Sequence, residues 1–397
     1  MASTTTPTTT SPWLMLGLVV ASTVLGLMGT DLVLPAVPSL PESLGGTLAR
    51  SQLVLAAYVG GTCIGLLAYG ALGDRYSTRA LFIGSLVATS LVSAACAMAG
   101  SLDVLVGLRA LQGAVAAGPA VFAVGIVRAS FDERGALRAI GLLGSIEALA
   151  PALAPMLGIW LIALGGWQLT FSTLAVLALL LAAMIGLSGL VPQIMRRPQG
   201  NYAHLLRDPA FMRYALSQAL VLGGLLVFVF SMPTVFVHVL GGGMRDFVIM
   251  QVSGIVTFML AANNVGRLVD RFGAERMITV GSALALLGSL GLLAYGLAGG
   301  RSGIVIALLF VPMNFGLGLR GPPGFFRAVL AARGDDARGA ALVILFILGM
   351  TAAGTAIAAP LLLGGLPPVA GIACGLQALA LLCLWLLPPL RNPAPAA

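Results

Sequence analysis

The sequence has few charged residues, and none of them is lysine. Only 9% of its 397 residues are charged and 59% are hydrophobic, whereas soluble domains carry about 25% charged residues. A soluble fold cannot cover this much apolar sequence with polar surface, so lipid is the solvent that suits the chain. All 21 basic residues are arginine, and they do not cluster on one segment. The net charge of +8 therefore does not indicate nucleic-acid binding.

Groups that carry enzyme or ATPase chemistry are also missing. The four cysteines lie inside apolar runs without metal-site spacing, so we interpret them as packing residues; they are Cys63, Cys96, Cys374 and Cys383. No phosphate-binding Walker loop occurs, so the sequence gives no support for ATP hydrolysis as an energy source. No nucleophile or His/Cys/Asp cluster indicates an enzyme. We expect no metal and no cofactor.

Twelve apolar runs are each long enough to span a bilayer, which takes about 20 residues. Charged or Gly/Pro-rich breaks separate them. They lie near 13–39, 50–73, 80–100, 103–128, 136–164, 168–191, 212–239, 246–269, 277–299, 303–327, 338–363 and 367–388. We therefore predict an all-α membrane protein with twelve transmembrane helices.

The arginines orient these helices. If the N-terminus is cytoplasmic, sixteen arginines fall in cytoplasmic segments and three, Arg50, Arg245 and Arg301, fall in outer loops. Positive residues favour the cytoplasmic side, so we expect both termini there and a place in the bacterial inner membrane. The first apolar run is too long for a cleaved signal peptide and should remain as a span.

An internal repeat divides the chain in two. The segment G-A-L-G-D-R-Y-S-T-R at 70–79 follows the second span, and G-R-L-V-D-R-F-G-A-E-R at 266–276 follows the eighth, at an offset of 196 residues. Many secondary transporters are built from such repeats. We predict two pseudo-symmetric six-helix bundles at 13–191 and 212–388, a cytoplasmic linker at 192–211, and tails at 1–12 and 389–397.

Several motifs in order resemble those of the major facilitator superfamily. The loop at 70–79 is similar to G-x-L-a-D-R-x-G-R-R, and L-V-G-L-R-A-L-Q-G at 105–113 is similar to the span-four motif L-x-x-x-R-x-x-Q-G. A-P-A-L-A-P-M-L-G at 150–158 resembles the span-five motif of drug:proton antiporters. With D-L-V-L-P-A-V-P at 31–38, the set resembles the Bcr/CflA drug-resistance subfamily.

The resemblance implies proton-coupled efflux by alternating access, and roles for two groups of residues. Loop residues would gate the cytoplasmic side: Asp74, Arg75, Arg79, Asp270 and Arg271. Residues of the antiporter motif would bend span five: Pro151, Pro155 and Gly158. The loop departs from the family pattern at Ser77 and Thr78.

Four charges fall within spans, where charge is costly and is a functional candidate by default. Asp31 and Arg109 each lie roughly 9–12 Å in from the outer edge, so they predict a coupled site with Asp31 as the proton carrier. A structural ion pair is the alternative. Glu147, near mid-membrane, is a candidate for a second proton or substrate group, or a carboxyl bonded between packed helices.

The fourth charge, Arg320, lies in G-L-G-L-R-G-P-P-G at 316–324, where we expect a broken or kinked helix. It would suit a substrate with a negative group, or it would snorkel to the interface. The residues that we predict to line the substrate cavity are Asp31, Tyr58, Gln112, Glu147, Gln251, Asn314 and Arg320. Arg109 is predicted for proton coupling, together with Asp31 and Glu147.

The sequence thus favours a proton-coupled exporter of a drug-like solute. A dedicated exporter of an endogenous metabolite, such as a siderophore-like chelator, is an alternative that fits Arg320 and the 7% aromatic content. An uptake symporter or facilitator of the same fold is another. A sensor or an intramembrane enzyme has no supporting motif. We expect a monomer whose partners are a small-molecule substrate and the lipid bilayer.

Overall fold

The computed structural model describes residues 12–46, 48–194 and 201–390. Within these ranges the secondary structure is helical, without a strand. A helix satisfies its backbone N–H and C=O groups internally, as a chain in lipid requires. Eleven of the described segments are long and apolar enough to cross a bilayer. The chain is a multi-pass membrane protein, as its composition predicts.

In the described residues, the first half contains eight α-helices: α1 (Pro12–Asp31), α2 (Leu40–Leu44), α3 (Leu48–Leu72), α4 (Thr78–Ala97), α5 (Leu102–Ala116), α6 (Gly118–Ser130), α7 (Glu133–Glu147) and α8 (Ala150–Ser188). The described part of the second half contains seven: α9 (Tyr202–Arg207), α10 (Pro209–His238), α11 (Met244–Phe272), α12 (Ala274–Leu297), α13 (Gly303–Ala331), α14 (Asp336–Ala358) and α15 (Leu366–Leu386). Short 3-10 helices follow α1 and α14, at Leu34–Ser39 and Ala359–Gly364.

Expected spans four and five are each interrupted near a proline. Span four breaks at Ala117, two residues before Pro119, and span five breaks between Glu147 and Ala150, just before Pro151. Proline has no backbone N–H to continue a helical hydrogen-bond ladder, so these positions are natural breaks. Span five is therefore made of α7 and the first part of α8.

The expected loop between spans five and six is reduced to two glycines inside α8. Gly165 and Gly166 leave helical geometry, and Gly166 has a φ of 71°. Glycine reaches this left-handed region without steric cost. The apolar segment Leu153–Ser188 thus holds the end of span five and all of span six, which is why eleven segments contain the twelve expected spans.

The chain separates into two compact units. Unit 1 comprises Met1–Gly65, Tyr76–Asp132 and Ala150–Met195. Its core is a cluster of buried apolar residues from α3, α4, α5, α8 and the segment after α1, including Val33, Leu40, Val54, Leu105 and Phe171. Burial of these side chains packs α4 and α5 against α8 and the end of α1.

Unit 2 comprises Leu66–Arg75, Glu133–Leu149 and Arg196–Ala397. One of its clusters joins α10, α13 and α15, and a second lies around Phe211, Tyr214 and Val343. Helix α7 packs on α11 so closely that a Cβ on Gly141 would overlap the carbonyl oxygen of Ala262. The bundle boundaries drawn from the sequence repeat stay a prediction.

Candidate functional site

Arg109 lies on α5 and is completely buried in unit 1. Its Nε donates to the carbonyl oxygen of Val54 at 3.2 Å, and its Nη1 donates to Oε1 of Gln112 at 2.6 Å. The guanidinium carbon lies 4.2 Å from the ring centroid of Tyr58. Nη2 has no hydrogen-bond partner among the described residues. Neutral groups thus hold a desolvated cation, an arrangement that is costly in lipid and typical of functional charges.

The span-four motif positions this arginine. Gln112 accepts from Arg109 and donates through Nε2 to Oγ of Ser93 on α4 at 2.7 Å. Gly113 allows α5 to approach α3, because a Cβ there would overlap the carbonyl oxygen of Tyr58. The close approach of α3 and α5 brings the Tyr58 ring under the guanidinium. The Gln and the Gly of the motif therefore fix the place of its Arg.

Tyr58 connects Arg109 with the helix that ends at Asp31. Its hydroxyl donates to the carbonyl oxygen of Gly26 on α1 at 2.6 Å. Asp31, half-buried, is the last residue of α1. In the part of the chain that the structure describes, Asp31 and Arg109 form no ion pair; the Arg109 guanidinium lies over the Tyr58 ring, and the Tyr58 hydroxyl bonds the helix that ends at Asp31. The sequence predicted Tyr58 only as a cavity residue and gave no sign of this connection.

The antiporter-type motif packs on the segment that follows Asp31. A Cβ on Gly158 of α8 would overlap the carbonyl oxygen of Leu32 and lie 3.4 Å from Cδ of Pro35. Pro155 is half-buried within α8. The side chain of Pro151 lies outside the described residues. The motif thus supports the backbone directly beside the candidate proton carrier.

Glu147 belongs to unit 2, whereas Asp31 and Arg109 belong to unit 1. It is half-buried and ends α7, where the helix breaks. Two residues earlier, Oγ of Ser145 accepts from Nδ2 of Asn263 on α11 at 3.1 Å. Glu147 therefore lies near the α7–α11 contact, and its predicted part in proton coupling stays a prediction.

Arg320 on α13 is also completely buried. Its Nη1 donates to the carbonyl oxygen of Ser217 at 2.6 Å, and its Nη2 donates to Oγ of the same residue at 3.0 Å. No carboxylate of the described residues pairs with it. Snorkelling to the interface, the alternative interpretation of Arg320, does not occur.

A broken or kinked helix was expected around Arg320, and the structure shows no break there in the described residues. Helix α13 runs unbroken from Gly303 to Ala331 through Pro322 and Pro323. Each proline removes one hydrogen bond, but neighbouring helices hold the remaining turns. Gly316 lies so close to α12 that a Cβ would come within 2.8 Å of the Ala285 nitrogen. Tight packing therefore outweighs the local preference of the sequence.

Two other predicted cavity residues lie in unit 2. Asn314 is buried, and its Nδ2 donates to the carbonyl oxygen of Phe310 within α13 at 3.1 Å. Gln251 is half-buried on α11. A pocket of about 760 Å³ lies elsewhere, along α9, the start of α10 and residues 388–390, and contains no predicted cavity residue. The cavity assignment stays a prediction.

The carboxylate of Asp74 forms an ion pair with the guanidinium of Arg338, the third residue of α14. Nη1 of Arg338 also donates to Oδ1 of Asp74 at 3.1 Å and to Oδ2 of Asp335 at 2.8 Å. The side chains of Asp74 and Arg338 are only 17% and 7% exposed. We call Asp74, Arg338 and Asp335 the latch; all three belong to unit 2.

The repeated loop makes a corresponding but weaker contact. Asp270 pairs with Arg134, at the start of α7, at 2.9 Å, and these side chains are 44% and 61% exposed. The sequence interpretation missed both partner arginines. Each begins the triplet Arg-Gly-Ala, at 134–136 and at 338–340, and this second repeat could have identified them.

The remaining gate candidates do not join the latch. Nη2 of Arg79 donates to the carbonyl oxygen of Gly186 within unit 1 at 2.7 Å. Arg75 is exposed, and so is Arg271, whose guanidinium carbon lies 5.3 Å from the ring centroid of Phe272. Of the predicted loop residues, the two aspartates are the ones that form ion pairs with a distant helix start.

Comparison with known families agrees with this architecture. The family model for the Major Facilitator Superfamily matches residues 19–359, which is most of the chain. The chain belongs to the Major Facilitator Superfamily. This transporter superimposes on a bacterial homologue of the iron transporter ferroportin, solved in its outward-facing state, with a TM-score of 0.74. The two share 16% identity over 94% of this chain and 98% of that one, so the likeness shows the fold alone.

Two relatives of this facilitator carry drug-resistance names, which confirms the predicted subfamily resemblance. The chloramphenicol resistance protein of Pseudomonas aeruginosa is 28% identical over 273 residues, which is 67% of this chain and 64% of that protein. The bicyclomycin resistance protein homolog of Haemophilus influenzae is 23% identical over 275 residues, which is 67% of this chain and 69% of that protein. The chain thus spans less than two thirds of the Pseudomonas protein.

Proposed function

We propose that this transporter exports a small organic solute across the bacterial inner membrane in exchange for protons. The observation that carries the proposal is the buried Arg109 on the ring of Tyr58, whose hydroxyl bonds the helix that ends at Asp31. Cations and carboxylates in spans mark proton relays and substrate paths. No other ion is needed, and a single self-contained chain suffices, so we propose a monomer without a cofactor.

Asp31 is suited to carry the proton because it has no ion pair within the described part of the chain. A carboxylate bonded directly to an arginine would be held in its charged form. Within the described residues no arginine pairs with Asp31, so no direct cationic partner holds the carboxylate in its charged form. Uptake of an outside proton would favour the return to the inward-facing state, where solute would compete for the deprotonated form.

The packing of Gly158 on Leu32 supports antiport rather than symport. It joins the motif that resembles those of antiporters to the backbone beside Asp31. A movement of α8 would therefore be transmitted to the proton carrier, as a coupled exchange requires. The names of the drug-resistance relatives support the outward direction of transport.

A dedicated metabolite exporter is the second candidate within this mechanism. It is favoured by Arg320, a buried cation without a described carboxylate partner, which would suit an anionic group on the solute. Two probes distinguish these candidate functions: chloramphenicol, which is neutral, and salicylate, which is anionic. Preferred transport of chloramphenicol supports a drug exporter, and preferred transport of salicylate supports the second candidate.

Proton flux in liposomes tests the proposed function. The transporter is reconstituted with an entrapped pH-sensitive dye, a pH gradient is imposed, and chloramphenicol, ethidium or salicylate is added. For wild type we expect solute-evoked proton flux. For Asp31→Asn we expect this flux to fall to that of protein-free liposomes, because an amide cannot carry the proton.

Asp103→Asn is the matched control, since Asp103 is an exposed carboxylate paired with Arg50 at 2.6 Å, and such pairs contribute little. It should retain wild-type flux. Wild-type proton flux in Asp31→Asn would mean that another group carries the proton. Glu147→Gln would then be the next variant to measure. Solute movement in wild type without any proton flux would contradict antiport and favour a facilitator.

A further inference from the structure

The short helix α9 of the linker is anchored firmly on unit 2. Asn201 caps its start by accepting from the His204 backbone nitrogen at 3.3 Å. Leu205 is 1% exposed and packs in the cluster that contains Phe211. The next residue after the helix, Asp208, caps α10 by accepting from the Ala210 nitrogen at 2.8 Å. The first residue of α9, Tyr202, therefore has a defined position.

Tyr202 contacts both segments that the latch connects, namely the end of α3 and the start of α14. Its hydroxyl donates to the carbonyl oxygen of Leu67, near the end of α3, at 2.6 Å. Its ring centroid lies 5.6 Å from the guanidinium carbon of Arg338, on α14. Gly70 leaves room for the hydroxyl, because a Cβ there would overlap it. The ring of a linker residue thus lies against the guanidinium that pairs with Asp74.

The hydroxyl of Tyr202 keeps its proton at neutral pH. Burial raises its pKa to about 12; Arg338 opposes the rise, and Asp335 and Asp74 add to it. The neutral phenol can therefore donate to Leu67 throughout the physiological range. Its ring face remains available to the guanidinium, since a cation over an aromatic face is attracted by the ring quadrupole.

The repeated loop serves as an internal comparison. Asp270 and Arg134 form the corresponding pair, and the described residues give Arg134 no aromatic cover. That pair is 44% and 61% exposed, against 17% and 7% for Asp74 and Arg338. An ion pair shielded from water and salt is stronger than an exposed one. The difference between the two loops coincides with the presence of Tyr202.

We propose that Tyr202 is a positioning residue of the latch: it holds Arg338 against Asp74 and so favours the latched conformation. The linker then takes part in the conformational equilibrium rather than only joining the two halves. Its effect on turnover rests on the proposed transport cycle, whereas its effect on the latch is measurable without substrate or a proton gradient.

Hydrogen exchange of the full chain in detergent tests the proposal through the backbone amides of 66–75 and 336–345. With Tyr202→Ala we expect exchange in both segments to rise at least about tenfold, as for a local opening. Tyr202→Phe, which keeps the ring, should show a smaller rise. The matched control is Tyr76→Ala, because Tyr76 is 54% exposed in the same loop; it should match wild type.

Two readouts separate positioning from a merely structural role. Added NaCl should increase exchange more in Tyr202→Ala than in wild type, because the uncovered ion pair is screened. In an Asp74→Asn background, Tyr202→Ala should add little, since the two changes act on one interaction. In liposomes, Tyr202→Ala should change turnover with little change in KM.

Three results would overturn the proposal. The first is wild-type exchange of both segments in Tyr202→Ala. The second is equal salt dependence in that variant and in wild type. The third is the full effect of Tyr202→Ala on top of Asp74→Asn. A failure of proton antiport leaves all three exchange results unchanged, so the two proposals fail separately.

Discussion

Replacing Arg109 with methionine is expected to abolish proton-coupled transport while leaving the protein folded. Methionine fills similar volume but carries no charge to act on Tyr58 and Asp31. We expect solute-evoked proton flux to fall at least about a hundredfold, the lower range for a positioned proton-transfer group. Flux in liposomes and the melting temperature in detergent are the measurements.

Stability should respond differently from activity. Arg109 is fully buried, with Nη2 unbonded among the described residues, and replacing a buried charge by an apolar side chain is often neutral or stabilising. Against this, Gln112 loses a partner for Oε1, at a cost of about 1–3 kcal/mol. The two effects oppose each other, so the melting temperature should change by only a few degrees.

Lysine at position 109 sharpens the test. An ammonium keeps the charge but lacks the planar fork that bonds Val54 and Gln112 while lying on the Tyr58 ring. We expect Arg109→Lys to lose at least about tenfold in flux. Arg50→Met, at an exposed ion pair, is the control and should remain active. Wild-type flux in Arg109→Met would remove Arg109 from the coupling mechanism.

Asp74→Asn is expected to shift the conformational equilibrium far more than the corresponding Asp270→Asn. Breaking a shielded ion pair by removing one partner is strongly unfavourable, whereas an exposed pair contributes about 0–1 kcal/mol. Since Asp335 still pairs with Arg338 in the variant, we expect a loss of about 2–3 kcal/mol, or roughly 30- to 150-fold in the ratio of latched to unlatched molecules.

Pulsed EPR distances between spin labels at Ala71 and Arg207 measure this shift. Both positions are exposed and belong to unit 2. Asp74→Asn should populate a second, longer distance, while Asp270→Asn should keep the wild-type distribution. If Asp74→Asn and Asp270→Asn gave the same distance distribution, the shielded ion pair would contribute no more to the conformational equilibrium than the exposed one.

The sequence predicted the helical fold and singled out Asp74 as a gate candidate, since both depend on local patterns. Apolar runs of span length give the helices, and the repeat at 70–79 and 266–276 marks the two loops. The partner of Asp74 escaped prediction because Arg338 is 264 residues away along the chain. The periodicity of apolar residues along the sequence cannot predict a contact at that separation. The repeated Arg-Gly-Ala triplet offered only an indirect signal.

For the candidate proton site, the sequence predicted only how deep each residue lies in the membrane. Helix geometry put Asp31 and Arg109 at similar depth, but it could not give the orientation of Tyr58, which depends on the close approach of α3 and α5 at Gly113. The same limit explains why a break was one of the two alternatives expected at α13. A run of glycine and proline breaks an isolated helix, and packing against neighbouring helices keeps this one intact.

Proton release on solute binding shows directly whether solute and proton compete through Asp31. Purified transporter in weakly buffered detergent solution receives chloramphenicol, or salicylate if that is the transported probe, while a dye follows pH. We expect acidification in wild type and in Asp103→Asn, and none in Asp31→Asn. Binding of the solute to wild type without proton release, or equal release from Asp31→Asn, would contradict this competition.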